Sequence, residues 1–286
     1  MNIYYDQLMK LNGADELKKV INKWETLSTN IKRQHKFNAP IILPDLLLYT
    51  KAGYGNTNLL SLLSEYVDSK KNLMDFYGDA KFFEFELNYC PPGNRFSEMY
   101  RFLDNVQAVA GFRNEFKGIA RININEWIGH HKENYFLDFL QLLKDNTSNW
   151  LIVLTISNVD RNSDDAKSLE SVLSMYLRIE TLTLYMPTDE ELAEYAASFL
   201  NKYGFELEDG AKKILISSIE VLRQNKYFNG FNTIADLCND ILYSIFSEET
   251  TINRTITADM LKDFSADSEY IKRTIMKFTK NIVLGF

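Results

Sequence analysis

The sequence predicts an α/β protein: a parallel sheet sandwiched by helices, followed by a domain of helices alone. Three observations carry this. Strand-like apolar runs alternate with amphipathic helical segments from residue 46 to residue 185, the pattern of a parallel sheet covered on both faces. One run, residues 149–157 (NWLIVLTIS), is almost continuously apolar, as expected of a strand buried on both sides. From Pro187 onward the periodicity is purely helical.

Residues 13–34 place Leu17, Val20, Ile21 and Trp24 at helical spacing with Lys and Glu between them, so an amphipathic helix opens the domain. A linker with Pro40 and Pro44 leads to an apolar run at 46–49, a small-residue turn, and a helix beginning near Asn58. A buried strand, a glycine turn and a helix pointing back at it form the layout of a phosphate-binding loop, in which backbone N–H groups and the positive helix end surround an anion. Residues 50–57 read T-K-A-G-Y-G-N-T, against the usual G-x-x-x-x-G-K-[ST]. Gly53, Gly55 and Thr57 fit; Thr50 stands for the first glycine and Asn56 for the lysine. The candidate nucleotide-binding residues are Lys51, Gly53, Tyr54, Gly55, Asn56, Thr57 and Asn58. Gly53 and Gly55 serve equally well as a plain tight turn.

Residues 81–88 (KFFEFELN) alternate apolar and charged and predict a second strand. A helix over 95–109, a third strand over 118–125 (GIARININ) and a helix over 135–145 come next. After the strand at 149–157, a helix over 165–177 and a short strand at 180–185 close the first domain, expected to span residues 1–186. The second, 187–286, begins with a Thr188-x-x-Glu191 capping box and a glycine stop at Gly204. Helices over 208–222, 232–246 and 257–276 complete it.

The third strand ends in Asn125-Glu126 where a P-loop enzyme needs hydrophobic–Asp–Glu, and the fourth ends at Asn158. The carboxyl rim of an open parallel sheet is where ligands bind. Taken with the helical tail, this order resembles the AAA+ ATPases, most of all the rubisco-activase-like and sporulation-protein-K-like branch. The resemblance covers roughly residues 13–246. It implies a P-loop NTPase-type core with a C-terminal helical lid, ATP or ADP with Mg2+ as cofactors, and metal contacts from Thr57 and Asn125. It gives Glu126 the role of general base and Asn158, in T-I-S-N-V-D, that of orienting the attacking water. Arg178, in Y-L-R-I-E, becomes a trans-acting finger. The further arginine that the family carries is replaced by Phe231 or is absent.

Both charged positions of the P-loop and the metal strand are neutral here, as Asn56 and Asn125. Phosphoryl transfer depends almost wholly on such charges, and losing one stabiliser costs about 10²–10³-fold in rate. The expectation is an impaired ATPase acting as a scaffold or regulatory subunit with homo- or hetero-oligomeric AAA+ partners. A working ATPase using Lys51 for charge, and a binding module without nucleotide, are the alternatives. Inert readings also stand: Glu126 as a capping carboxylate, Asn158 as a strand-end residue bonding backbone, Arg178 as a surface ion pair.

A net charge of −7 and pI near 5.2 argue against nucleic acid or an anionic membrane as a partner of the whole surface. No apolar stretch approaches a membrane span, and the first residues carry no signal pattern. Cys90 and Cys238 lie far apart without a CxxC, which points to free thiols in a reducing cytoplasm and not to zinc.

Overall fold

A computed structural model of the chain describes residues 2–11, 13–33, 43–51, 56–70, 73, 82–89, 95–110, 118–146, 150–225, 228–247 and 254–280, with the backbone alone for 56–57, 95–97, 106–110, 146 and 277–280. These residues form two compact units, one drawn from residues 2–185 and the other from residues 186–280.

The first unit opens with α1 (Ile3–Met9), capped by Asn2, whose Oδ1 accepts the Tyr4 N–H at 3.1 Å. Helix α2 (Asp15–Arg33) buries Leu17, Val20, Ile21 and Trp24. Asp15 and Glu16 lie in its first turn and Lys32 and Arg33 in its last, as the helix dipole favours. Next come β1 (Asp45–Thr50), α3 (Asn56–Asp68), β2 (Phe82–Glu86), α4 (Arg95–Ala110) and β3 (Gly118–Asn123). A 3₁₀ turn at Asn125–Trp127 follows, then α5 (Asn134–Asn146), β4 (Trp150–Ser157), α6 (Asp164–Tyr176) and β5 (Ile179–Thr183).

All five strands pair in parallel in the order β2-β3-β4-β1-β5. Every residue of β1 is buried, as is β4 up to Ile156, which accounts for their unbroken apolar sequences. Edge strand β2 alternates between buried and exposed. On one face Leu47, Tyr49, Ile122, Ile152 and Leu154 pack with Phe136 and Phe139 of α5 and Leu169 of α6. Burying one such side chain is worth about 1.5–3 kcal/mol. Strand β5 ends at Thr183, short of the 185 expected: Leu184 N–H makes the last bond to β1, at Tyr49 O, and Tyr185 N–H then turns to a new partner, Gly13 O.

The second unit holds α7 (Asp189–Asn201), β6 (Glu206–Leu207), α8 (Asp209–Arg223), α9 (Gly230–Ser247), β7 (Thr255–Ile256) and α10 (Glu269–Lys280), with a 3₁₀ turn at Asp259–Phe264. Both halves of the Thr188–Glu191 capping box form. Gly204 takes φ +84°, a left-handed conformation that glycine adopts without strain. The single helix expected over 257–276 is broken. Ser265 N–H bonds Lys262 O and ends the 3₁₀ turn, and Ser268 restarts a helix by accepting the Ile271 N–H on its hydroxyl. Helical periodicity runs through such a break because apolar spacing survives it; only the serines mark it. Among the described residues, no helix is long and apolar enough to cross a membrane.

Candidate functional site

The parallel sheet brings the carboxyl ends of β3, β4 and β1 side by side, and a chain of polar contacts joins them. Asn123 Oδ1 accepts the Asn125 N–H at 3.0 Å, an Asx turn that ends β3. Asn125 Oδ1 in turn accepts the Ser157 N–H at 3.0 Å, tying the tip of β3 to the tip of β4. Asn158 N–H donates to Thr50 O at 3.0 Å, tying β4 to β1. Asn158 makes that last bond from φ +61°, a region in which Asn is several-fold enriched over other side chains. Both Asn125 and Asn158 are exposed.

Glu126 points away from this row. Its Oε2 accepts the backbone N–H of Tyr89 at 2.7 Å. The same two loops are held by Trp127 Nε1–H donating to Leu87 O at 3.1 Å. The Tyr89 ring stacks on His130 at 4.1 Å, and Glu133 takes the Tyr89 hydroxyl at 3.2 Å and contacts His130 Nδ1 at 2.9 Å. The carboxylate at the expected base position thus holds the chain beyond β2 to the chain beyond β3.

Lys51 follows Thr50 directly and is exposed. Asn56 and Thr57 are the first two residues of α3, and Asn58 beside them is exposed. Gly53, Tyr54 and Gly55 lie outside the described residues, as do the side chains of Asn56 and Thr57. Cys90 also lies outside them; Cys238 is a free, buried thiol of α9 whose pKa burial pushes up to about 12.

Arg178 does not join the row. It precedes β5, and its carbonyl accepts the Asp45 N–H at 2.8 Å at the opposite end of the sheet. Five residue steps separate Asp45 from Thr50, a span of about 16 Å. The Arg178 side chain is exposed there. In the second unit, Phe231 packs its ring edge-to-face against Tyr195 with centroids 4.8 Å apart. Arg223, a few residues earlier, donates to Asp189 Oδ1 at 2.7 Å and to the Pro187 carbonyl, and so fastens the start of α7.

Two groups escaped the sequence reading. Arg161, on the loop after β4, lies 3.6 Å from both Glu16 and Glu170. Glu16 itself accepts the Thr183 N–H at 2.7 Å and the Tyr185 hydroxyl at 3.2 Å. Positions this far apart in sequence carry no local signal of their pairing. Asp45 is the other. It is buried at the start of β1, its Oδ1 accepts the Ile152 N–H at 2.9 Å, and burial raises its pKa to about 7, the backbone bond opposing.

The described residues fit a divalent cation poorly. Magnesium wants oxygen ligands in a near-octahedral shell, with one or two carboxylates. The row supplies neutral amides and hydroxyls, and Asn125 Oδ1 already accepts a backbone N–H. Among the described residues, no group of three or more His, Cys, Asp or Glu side chains could hold a metal ion. A phosphate facing the N-terminus of α3 is better served, because the first N–H groups of an α-helix have no partner within the helix.

No protein-family model matches the sequence, and no curated protein matches it. Solved structures do. The Holliday junction branch migration motor RuvB of Thermotoga maritima matches with a TM-score of 0.51 and 15% identity, covering 94% of this chain and 77% of RuvB. A variant of the same RuvB reaches a TM-score of 0.55 over 98% of this chain and 80% of its own, again at 15% identity. PCH-2 of C. elegans matches with a TM-score of 0.53 and 14% identity, covering 98% and 74%. RuvB and PCH-2 are AAA+ ATPases, and the likeness at this identity is one of fold: a five-stranded parallel sheet flanked by helices, of the AAA+ P-loop type.

Proposed function

We propose that this chain, whose fold is that of the AAA+ P-loop ATPases, keeps a nucleotide cradle at the tips of β1, β3 and β4 but hydrolyses ATP weakly or not at all. It works through protein partners, as a non-hydrolysing scaffold or regulatory subunit of an oligomeric ATPase assembly in the cytoplasm. The second unit takes the place of the lid.

One observation carries this reading: the Glu126 carboxylate is bonded to the Tyr89 N–H at 2.7 Å. A general base must aim a free lone pair at the proton of the attacking water. A charged acceptor already held by a backbone amide gives up about 1.5–3 kcal/mol to turn away, less where water replaces the bond. The neutral Asn56 and Asn125 support the same reading, since the charges that phosphoryl transfer demands are gone from both. Arg178 lies at the far end of the sheet, so in this reading it acts only on a neighbouring subunit's site.

Steady-state ATP hydrolysis by the pure chain with magnesium tests the proposal. Turnover below about 0.1 per second is expected; turnover above that, toward the ~1 per second low end of ordinary enzymes, overturns it and makes Lys51 the candidate source of charge. Purification from the native host asks the second question, whether an ATPase with an intact P-loop lysine accompanies the chain.

A further inference from the structure

We infer that a nucleotide held at this rim is held without a divalent cation, and that the diphosphate binds at least as tightly as the triphosphate. The inference rests on the nucleotide-cradle reading above and adds what that cradle selects.

Among the described residues, the acidic groups that follow β3 and β4 and those beside Arg161 are already engaged, and Glu86 ends the edge strand β2, outside the row of β3, β4 and β1. Glu126 accepts the Tyr89 N–H. Asp160, on the loop after β4, accepts the Asn162 N–H on Oδ1 at 2.9 Å and so shapes its own turn. Glu16 and Glu170 flank Arg161. What remains along the tips of β3, β4 and β1 is Asn123, Asn125, Ser157, Asn158 and Thr50, none of them charged. Asn125 stands in sequence where the metal strand would put its carboxylate, and its Oδ1 is occupied by the Ser157 N–H. A second lone pair on a neutral amide oxygen is a weak lure for a strongly hydrated ion that prefers carboxylates.

The same inventory sets the preference between nucleotides. A γ-phosphate adds negative charge that other P-loop sites balance with a metal ion and a lysine. Here Asn56 replaces the lysine, and Arg161 already sits between two carboxylates. The third phosphate therefore meets neutral dipoles, while the first two keep the helix N-terminus and Lys51.

Calorimetric titration of the whole chain with ADP and with ATP, each in magnesium and in EDTA, tests this. The expected result is an ADP affinity that agrees within about twofold between the two buffers, with ATP no tighter than ADP. Binding of either nucleotide that tightens about tenfold or more with magnesium overturns the inference and leaves the cradle reading standing. Absence of heat, and of any rise in melting temperature, with both nucleotides in both buffers removes the cradle itself. Asn125→Asp restores a carboxylate at the strand tip and is expected to make ADP binding respond to magnesium about tenfold. A variant as indifferent to magnesium as the parent places residue 125 away from the phosphates and overturns the assignment.

Discussion

The two ends of the sheet use one device with different chemistry. At the amino end, the Asp45 carboxyl reaches across to β4 and accepts the Ile152 N–H. At the carboxyl end, the Asn125 amide reaches across to β4 and accepts the Ser157 N–H. Both side chains supply a ladder bond that a neighbouring backbone carbonyl does not. One is buried and ionisable, the other exposed and neutral. A side chain that finishes a ladder needs an oxygen, not a charge. The difference teaches that Asn125 meets the needs of the sheet in full while lacking what metal-assisted chemistry asks of that place.

The largest effect that would sharpen the contrast concerns pH. Asp45 has its pKa raised from 3.8 to about 7, chiefly by burial. A raised carboxyl pKa means that the folded chain binds more protons than the unfolded one between those values. The contribution of Asp45 to stability is therefore greatest on the acid side of the window, falls as pH rises from about 4 to about 7, and levels off above. The fall is a few kcal/mol at most, since each pKa unit is worth about 1.4 kcal/mol. Asp45→Asn keeps an oxygen for the Ile152 N–H and removes the charge, so this contribution to the slope should vanish. Urea unfolding at pH 5 and pH 8 for parent and variant measures it. Equal slopes in both would erase the distinction between the two ends.

The second test lies at the rim. Glu126→Ala removes the carboxylate that accepts the Tyr89 N–H and should cost about 1 kcal/mol, reduced from the full value of a charged bond because Glu126 is exposed. ATP turnover, low at the outset, should not fall further. A large loss of turnover with unchanged stability would mean that Glu126 leaves Tyr89 to act on water. Smaller still is Asn125→Ala, which removes one solvent-accessible acceptor and should cost about 0.5–1 kcal/mol in the same unfolding assay.

The strand-and-helix order was legible in the sequence because it rests on period. Residues 149–157 could hardly be anything but a doubly buried strand, and β4 is buried up to Ile156. Tips were legible for a related reason: once strands are parallel, their ends share one edge, so Asn125, Asn158 and Thr50 had to be neighbours. What each tip bonds was not legible. The Glu126–Tyr89 contact spans 37 residues and the Asp45–Ile152 contact spans 107, and no local pattern marks either. Asp45 sat beside Pro44 in what read as linker, where a carboxylate draws no notice. Arg178 could be placed before its strand, but only the register against Asp45 puts it at the far end from Thr50.

The smallest effect separates backbone from chemistry at Asn158. Its N–H bonds Thr50 O from φ +61°, so its backbone already has a task. If that task is the whole of its role, Gly should replace it within about 0.5 kcal/mol, because glycine enters the left-handed region freely but gives up more conformational entropy on folding. Alanine should cost about 1–2 kcal/mol, having neither the freedom of Gly nor the tolerance of Asn. Melting curves would then rank Asn and Gly together above Ala, and the affinity for ADP would be the same in all three. Should Asn158→Gly keep its stability yet lose nucleotide affinity, the amide side chain touches the ligand. In that event the carboxyl end of the sheet retains one working polar group of its own, and the parallel with Asp45 at the amino end fails at this residue.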